Sequence, residues 1–190
     1  MLPDPDHALV RKAQAGDRLA FADLVRRHQA RVYTLALRMT ADAEQARDMA
    51  QEAFIQVYRH LNTFKAKSRF TTWLYVVARN VCYSRHKGLA AELRVAWDGD
   101  GTGPLDRIAA PGRSPEAQFE AGDDVLQTAQ ALGELPEKYR LVLTLFHVQG
   151  LGHEEIAEVL GLPIGTVKTH LLRGRQLLRV RLTERGVVPS

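Results

Sequence analysis

The stretch GLGHEEIAEVLGLPIGTVKTHLLRGRQLLR, residues 150–179, has the spacing of two short helices joined by a tight turn. Apolar residues recur at helical intervals on both sides of the turn. Those expected to face inward are Ile156, Ala157 and Leu160 in the first helix and Val167, Leu171 and Leu178 in the second. Gly161 stands between them, where glycine permits the left-handed backbone of a sharp turn. The pattern predicts a helix-turn-helix.

The second helix of this motif carries charge of one sign. From Pro163 to Arg181 there are five Lys/Arg residues and no Asp or Glu. In a helix-turn-helix the start of this helix reads base edges in the major groove, while phosphate contacts set affinity and register. The residues expected to contact DNA are Lys168, Thr169, Leu172 and Arg173 at base edges, Arg175 and Arg179 at phosphates, and Thr166. A solvated basic face on an ordinary helical hairpin is the alternative, and the motif alone does not choose between DNA-binding families.

The sequence outside the motif is also helical in pattern. Residues 7–40 repeat apolar side chains at helical spacing, with a break at Gly16 and a cap for the next helix at Asp17. Asp42 opens a further segment, whose expected buried stripe is Ala50, Ala53, Phe54, Val57 and Leu61. No segment shows the alternation of a strand. The fold class is therefore predicted to be all-α.

The stretch from residue 88 to residue 124 differs from both flanks. It contains six Gly, three Pro, eight acidic and three basic residues, so its own charge is −5. Such a composition is typical of a linker. We therefore predict two small helical domains, residues 1–88 and 125–190, joined by a linker at 89–124.

A second unusual segment is FKAKSRFTTWLYVVARNVCYSRHK, residues 64–87. It holds five aromatic residues and six Lys/Arg residues without one Asp or Glu. An ordinary helix face mixes both signs of charge, and an ordinary core excludes Lys. The segment therefore indicates a surface that contacts another molecule and not solvent alone.

Several classes of protein are not supported by the sequence. The N-terminus has no apolar run after a basic start, and the longest apolar run, from Trp73 to Ala78, is six residues, so neither a secretory signal nor direct membrane insertion is expected. A single cysteine, Cys82, excludes an intrachain disulfide and fits a cytoplasmic protein. The pairs Cys82 with His86 and His147 with His153 are too few for a metal site. We expect no catalytic centre, cofactor or metal.

Taken together, the chain resembles an extracytoplasmic-function (ECF) sigma factor of the sigma-70 family. DAEQARDMAQEAFIQVYRHL resembles the polymerase-binding segment of that family, and SRFTTWLYVVARN resembles its −10 recognition and melting segment. ELPEKYRLVLTLFHVQGLGHEEIAEVLGLPIGTVKTHLLRGRQLLR resembles its region 4, which reads the −35 element. The order and spacing of the three stretches are more specific than any one of them.

The resemblance gives the basic aromatic segment a role. A sigma factor holds the separated strand at the −10 element, and single strands are held by cations and by aromatic side chains. The expected cations are Lys65, Lys67, Arg69, Arg79, Arg85 and Lys87. In this family a loop and an Asn receive a flipped base, which implies Phe64, Ser68, Phe70 and Asn80 here. Leu74 and Val77 are expected in the core, and Trp73 could serve either purpose.

The resemblance also implies partners. It assigns the polar face of the polymerase-binding segment to the β′ clamp helices of core RNA polymerase. The residues implied there are Asp48, Gln51, Glu52 and Gln56. It places region 4 on the β flap and at promoter DNA, and implies control by an anti-sigma factor, which is often membrane-anchored. An ordinary wet helix face is the alternative for the four polar residues.

Other functions remain open from the residues. GTVKTHLL also resembles the helix-turn-helix of stand-alone LuxR-type regulators, which would need a receiver or ligand-binding domain, usually α/β, in the N-terminal half. A module that binds RNA or single strands without polymerase would bind nucleic acid tightly alone, with strong salt dependence. A small enzyme fits the sequence least.

Overall fold

The computed structural model describes residues 4–85 and 123–187. The helices in these two ranges are α1 (His7–Gln14), α2 (Arg18–Thr40), α3 (Ala43–His60), α4 (Phe70–Arg85), α5 (Asp123–Gly133), α6 (Glu137–Leu143), α7 (His153–Leu160) and α8 (Ile164–Glu184). A 3-10 turn, Leu61–Thr63, follows α3, and a π-helical turn, Thr144–Val148, extends α6. Every regular element in the described residues is helical, which confirms the predicted all-α class. Most of the predicted linker lies outside these residues.

The predicted starts of α2 and α3 are confirmed by their caps. The Asp17 carboxylate accepts hydrogen bonds from the backbone N–H groups of Leu19 and Ala20, and Asp42 accepts one from Gln45. These contacts satisfy N–H groups that have no partner within the helix. Ala41, between α2 and α3, has a φ of 57°, which reverses the chain between the two helices.

Helices α1 to α4 form the N-terminal half around a shared apolar core. Val32 and Leu35 of α2, Val57 of α3, and Leu74 and Tyr75 of α4 are buried almost completely. The buried stripe of α3 is Ala46, Met49, Ala53 and Val57. Within the part of the chain that the structure describes, no helix has both the length and the apolar content needed to cross a membrane.

Helices α5 to α8 form the C-terminal half. Leu141, Leu145, Ile156 and Val167 are completely buried there. Pro136 stands directly before α6, and its carbonyl accepts the N–H groups of Tyr139 and Arg140. The predicted helix-turn-helix is formed by α7 and α8.

The two halves pack directly against each other, and one apolar core runs through both. Tyr75 of α4 donates its hydroxyl hydrogen to Gln149 Oε1 at 2.8 Å, and Gln149 Nε2 donates to the carbonyl of Arg31 at 3.3 Å. Burial raises the pKa of Tyr75 to about 12, so the hydroxyl stays protonated and remains a donor.

A second bridge between the halves uses a buried arginine. Arg140 Nε donates to the carbonyl of Arg38 on α2 at 3.2 Å, and its Nη1 donates to the carbonyl of Gly133 at 2.9 Å. Only 6% of Arg140 is exposed. The guanidinium therefore joins the C-terminal end of α5, in the C-terminal half, to the C-terminal end of α2, in the N-terminal half.

Candidate nucleic-acid and partner interfaces

The predicted DNA-binding residues of α8 lie on one open surface. Lys168, Thr169, Leu172, Arg173, Arg175 and Arg179 are exposed, and Thr166 is half-buried. Leu172 is 59% exposed although it is apolar, as a side chain that contacts a thymine methyl group would be. The first acidic residue of the helix is Glu184, at its C-terminal end. This surface is called the α8 surface below.

The position of α8 is set by two glycines. Gly161 ends α7 with a φ of 69°, the left-handed backbone that the sequence predicted. Gly174 packs against α6 so closely that a Cβ atom there would lie 3.1 Å from Leu143 Cδ1 and 3.2 Å from Tyr139 Cβ. Because the backbone of α8 approaches α6 this closely, its opposite face is turned to solvent.

Two side chains on α8 have roles that the sequence did not indicate. His170 is buried, with its ring 5.4 Å from that of Tyr139, so it supports the helix from below. Burial, together with the charges of Lys138 and Arg173, lowers the pKa of His170 to about 4. Arg175 stacks 5.1 Å from the centre of the Phe146 ring, and its Nε donates to His147 Nε2 at 3.3 Å. The side chain of Arg175, a predicted phosphate contact, is therefore held in position by Phe146 and His147.

The predicted −10 residues surround a cluster of three aromatic rings. Phe70 is completely buried, 5.9 Å from Phe64 and 6.0 Å from Trp73, while Phe64 and Trp73 lie 5.3 Å apart and are half-buried. Phe64 and Trp73 therefore each keep part of the side chain accessible to solvent. Phe70 lies beneath them, where its ring cannot reach a base in this conformation.

The cations of this segment lie in the loop before α4 and along α4. Lys65, Lys67 and Arg69 are exposed, and Ser68 is half-buried. Asn80 is exposed, but its side-chain oxygen accepts hydrogen bonds from both Nε and Nη2 of Arg79, at 3.3 and 2.8 Å. Arg85 ends α4, and Lys87 lies outside the described residues. The loop residues 64–69 and the exposed side of α4 are called the α4 surface below.

Helix α7 covers one side of the α4 surface. Glu155 Oε1 accepts the hydroxyl hydrogen of Thr72 at 3.0 Å and lies 3.8 Å from Arg69 Nη1. A Cβ atom on Gly161 would lie 3.2 Å from Arg79 Nη1. Two of the predicted −10 cations, Arg69 and Arg79, therefore face the helix-turn-helix.

The four polar residues of α3 share its outer side. Asp48 and Gln51 are exposed, while Glu52 and Gln56 are half-buried and joined by a hydrogen bond of 2.6 Å from Gln56 Nε2 to Glu52 Oε1. Gln51 also borders a neighbouring groove. The predicted partner-binding residues are therefore accessible on one helix.

That groove between α2 and α3 was not predicted. It has a volume of about 760 Å³, and its apolar lining is Phe21, Val25, Tyr33, Phe54, Ile55 and Tyr58. Arg47 and Arg59 also line it. Phe54 was expected in the buried stripe of α3, but it is only half-buried, and so is Val25 on α2. Ile55 and Tyr58 fall outside the buried stripe of α3, and these extra apolar positions were the signal for the groove.

The single cysteine packs inside the N-terminal half. Burial raises the pKa of the Cys82 thiol to about 12, so the thiolate is not formed near neutral pH. Among the described residues, no three His, Cys, Asp or Glu side chains are grouped as metal ligands would be.

Family models match both halves of the chain. The Sigma-70 region 2 model matches residues 24–91, and the Sigma-70, region 4 model matches residues 126–178. Among solved structures, the sigma factor RpoE in complex with the anti-sigma factor NepR from Bartonella quintana shares 24% identity with a TM-score of 0.67, over 86% of this chain and 96% of that chain. CnrH in complex with the cytosolic domain of CnrY shares 24% identity with a TM-score of 0.65, over 94% of this chain and 97% of that chain. At this identity the two structures support the fold.

Relatives match nearly the whole length of the chain. ECF RNA polymerase sigma factor SigW of Bacillus subtilis is 35% identical over 92% of this chain and 95% of its own length. RNA polymerase sigma-H factor of Pseudomonas aeruginosa is 36% identical over 92% of both chains, and ECF RNA polymerase sigma-E factor of Escherichia coli is 33% identical over 91% and 92%. The N-terminal half is helical and lacks, in its described residues, the α/β domain usual in a LuxR-type regulator. The chain therefore belongs to the sigma-70 family of RNA polymerase sigma factors, in the extracytoplasmic-function group.

Proposed function

We propose that this sigma factor binds core RNA polymerase through α3, reads the −35 element with the α8 surface, and holds the melted −10 strand on the α4 surface. The observation that carries the proposal is that one chain presents two separate basic surfaces of different chemistry. One is a single exposed helix, which suits duplex DNA. The other combines cations with partly exposed aromatic rings, which suits a single strand. The protein contributes binding and no bond chemistry.

At the −35 element, the start of α8 enters the major groove. Lys168 and Arg173 can donate to guanine, and Leu172 can contact a thymine methyl group. Arg175, held over Phe146, and Arg179 contact phosphates. Because His170 is buried against Tyr139, it takes no part in base reading.

At the −10 element, Phe64 and Trp73 provide faces for unstacked bases, and Lys65, Lys67 and Arg69 follow the phosphates. A flipped base costs a few kcal/mol to unstack, about what a fitted pocket can return. Phe70 acts as the floor of this pocket, because its ring lies beneath both of the others. Ser68 and Asn80 supply the polar groups at its edge.

At the polymerase, Asp48, Gln51, Glu52 and Gln56 meet the β′ clamp helices. We include the adjoining groove in this surface because Gln51 borders it. An exposed apolar groove with a polar edge is typical of a protein docking site. The C-terminal half meets the β flap.

An anti-sigma factor, in many systems membrane-anchored, is the proposed regulator, and the cytoplasm is the proposed compartment. One solved structure that this fold resembles is a sigma factor in complex with the anti-sigma factor NepR, and the other, CnrH, is in complex with the cytosolic domain of CnrY. An anti-sigma factor would keep the polymerase-binding surfaces of both halves covered until a signal releases it.

The first experiment is a pull-down with purified core RNA polymerase, followed by run-off transcription from the upstream region of this gene. Stable binding and a transcript with one start site are expected. Failure to bind core polymerase, combined with tight binding to duplex DNA alone, would instead indicate a stand-alone regulator.

The groove is tested by placing a charge in it. Ile55 is 37% exposed in the groove, and Ile55→Asp should weaken core binding because it sets a carboxylate into an apolar contact. The matched control is Leu19→Asp, which makes the same kind of change at a residue that is 78% exposed and outside the groove. Equal binding by the two variants would remove the groove from the polymerase surface.

Regulation is tested in the cell. A reporter for the mapped promoter should be silent during growth without stress although the sigma factor is present, and active after the signal. Constant reporter activity at constant protein level would argue against an anti-sigma partner.

A further inference from the structure

The N-terminal segment from Asp4 to Gln14 precedes the residues matched by the region 2 model, which begin at residue 24. It nevertheless contacts both ends of the loop that carries the proposed −10 pocket. We propose that Asp4 and Gln14 are positioning residues that fix the shape of loop 64–69 and thereby set base choice at the −10 element. This inference rests on the proposed function, since it assigns the segment to the same site.

Gln14 holds the start of the loop. Its Nε2 donates one hydrogen bond to the carbonyl of Leu61 at 2.9 Å and another to the carbonyl of Phe64 at 3.0 Å. Both hydrogens of the amide are therefore used, and both acceptors lie where the 3-10 turn passes into the loop. Among uncharged side chains of this length, only that of glutamine carries two N–H donors on one nitrogen.

Asp4 holds the end of the loop. Its Oδ2 accepts the backbone N–H of Phe70 at 2.7 Å, although the two residues are 66 positions apart in sequence. Phe70 is the first residue of α4, and its N–H has no partner within the helix. The side chain of Asp4 thus takes the place that a capping residue next to the helix would fill.

Asp4 is itself held firmly. Its Oδ1 accepts the N–H of Asp6 at 3.0 Å, and the buried carboxylate of Asp6 binds His28 Nε2 at 2.8 Å and Arg27 Nη1 at 2.6 Å. Burial acts to raise the pKa of Asp6, but the contacts with His28 and Arg27 outweigh it, so the pKa is lowered and the carboxylate stays charged. The ring of His28 also packs 5.7 Å from that of Phe70. The segment is therefore anchored to α2 and to the floor of the pocket together.

The loop between these two attachment points does not fix its own shape. Within the ranges that the structure describes, the side chains of Lys65, Lys67 and Ser68 form no hydrogen bond. Ala66 has a φ of 52°, a left-handed conformation that is uncommon for a residue with a side chain. A binding pocket must be held to within about 0.5 Å to discriminate between ligands. In this loop, that precision comes from its two ends.

The test measures base preference rather than total activity. Run-off transcription is performed with saturating sigma factor on templates in which each base of the mapped −10 element is changed in turn. Gln14→Met removes both donors without adding charge, and Asp4→Ala removes the acceptor for Phe70. We expect each to reduce discrimination at one or more −10 positions by about three- to tenfold, the value of one or two hydrogen bonds, with −35 discrimination unchanged.

Two further variants separate positioning from general stability. Asp4→Asn keeps one side-chain oxygen for the Phe70 N–H and should restore most of the discrimination that Asp4→Ala loses. Asp17→Ala is the matched control, because it also removes two hydrogen bonds from the same part of the chain, but at the cap of α2 and away from the loop. It should lower the unfolding midpoint and leave the −10 ratios unchanged.

Amide hydrogen exchange tests the geometry in the folded protein. The Phe70 N–H should be protected in the wild-type chain and exchange at least tenfold faster in Asp4→Ala. Unchanged −10 ratios in both Gln14→Met and Asp4→Ala would overturn the inference, as would an unprotected Phe70 N–H in the wild type. If the wild-type holoenzyme gives no start-site-specific transcript, the proposed function fails and this inference fails with it.

Discussion

The α8 surface and the α4 surface are both basic, but they are built in different ways. The α8 surface lies on one continuous helix, and its side chains reach solvent because Gly174 brings the other face against α6. The α4 surface combines a loop, a helix and a buried ring, and it depends on Asp4 and Gln14 from the start of the chain. A surface on one helix is determined by local sequence, whereas a composite surface is determined by contacts between distant residues.

The contrast predicts that the α4 surface depends more strongly on a buried aromatic ring. Phe70→Ala should lower the free energy of unfolding by about 3–5 kcal/mol, because the ring is completely buried among Phe64, Trp73 and His28. Phe146→Ala on the other half is the control, since that ring is only half-buried. Urea unfolding of both variants measures the difference. If the two variants lose the same free energy of unfolding, the two surfaces depend equally on their aromatic residues.

The α8 surface should instead depend on close backbone packing. Gly174→Leu should cost about 1–3 kcal/mol of stability, because its side chain would overlap Leu143 and Tyr139. Gly165→Leu in the same helix is the control, since a Cβ atom there meets nothing within 4 Å. Thermal unfolding should show a lower midpoint for Gly174→Leu only. A drop in both would point to an effect of leucine on the helix itself.

Within the α8 surface, base-reading and phosphate-binding residues should separate. Lys168→Ala should weaken discrimination at one −35 position by about 1–3 kcal/mol, whereas Arg179→Ala should weaken binding to all templates and reduce the salt slope by about 1. Run-off titrations at several salt concentrations, with −35 variants of the promoter, measure both quantities. The division is wrong if the two variants have the same effect on every template.

The smallest expected effect concerns pH. His170 has a pKa lowered to about 4 by burial and by the charges of Lys138 and Arg173, so the folded protein keeps the ring neutral while the unfolded chain takes up a proton below about 6.5. Stability should therefore be complete above pH 6.5 and fall as the pH drops towards 4, by less than about 1 kcal/mol between pH 7 and pH 6.

The control for this pH effect is His170→Phe, which keeps an aromatic ring against Tyr139 and cannot be protonated. The pKa of His147 is also lowered, by burial and by Arg175, and it contributes in the same direction in both proteins. The difference between wild type and variant in denaturant unfolding at pH 7, 6 and 5 therefore isolates His170. Parallel pH dependence of the two proteins would contradict this prediction, because it would show that the pKa of His170 is the same in the folded and unfolded states.

The sequence was sufficient for the helices, the caps at Asp17 and Asp42, and the turn at Gly161, because each depends on neighbouring residues. The sequence was also sufficient to predict that the basic side chains of α8 are exposed, because burying several charges of the same sign without partners is costly. The sequence could not predict that Phe70 is completely buried or that Arg79 donates to the side-chain oxygen of Asn80. An aromatic residue or an amide is compatible with both the buried and the exposed side of a helix, so the residue type does not decide between them. The attachment of Asp4 to Phe70 spans 66 positions and leaves no periodic signal.

The groove between α2 and α3 shows the same limit. Phe54 fitted the expected apolar stripe of α3, yet it lines an open surface because smaller residues, Ala46 and Ala53, occupy the contact with the core. Helical period identifies which residues share a face, but side-chain size decides how closely two helices approach. The sequence alone does not show which of two adjacent apolar strips is covered.

The apolar core shared by the two halves has a thermodynamic consequence. Tyr75, Gln149 and Arg140 link the halves through buried hydrogen bonds, so neither half can melt without exposing the surface and breaking the bonds that stabilise the other. Heat should therefore unfold the free protein in one cooperative transition, with a calorimetric enthalpy equal to the van't Hoff enthalpy for the whole chain. Any partner that separates the halves must supply, through its own contacts, the free energy of this shared boundary.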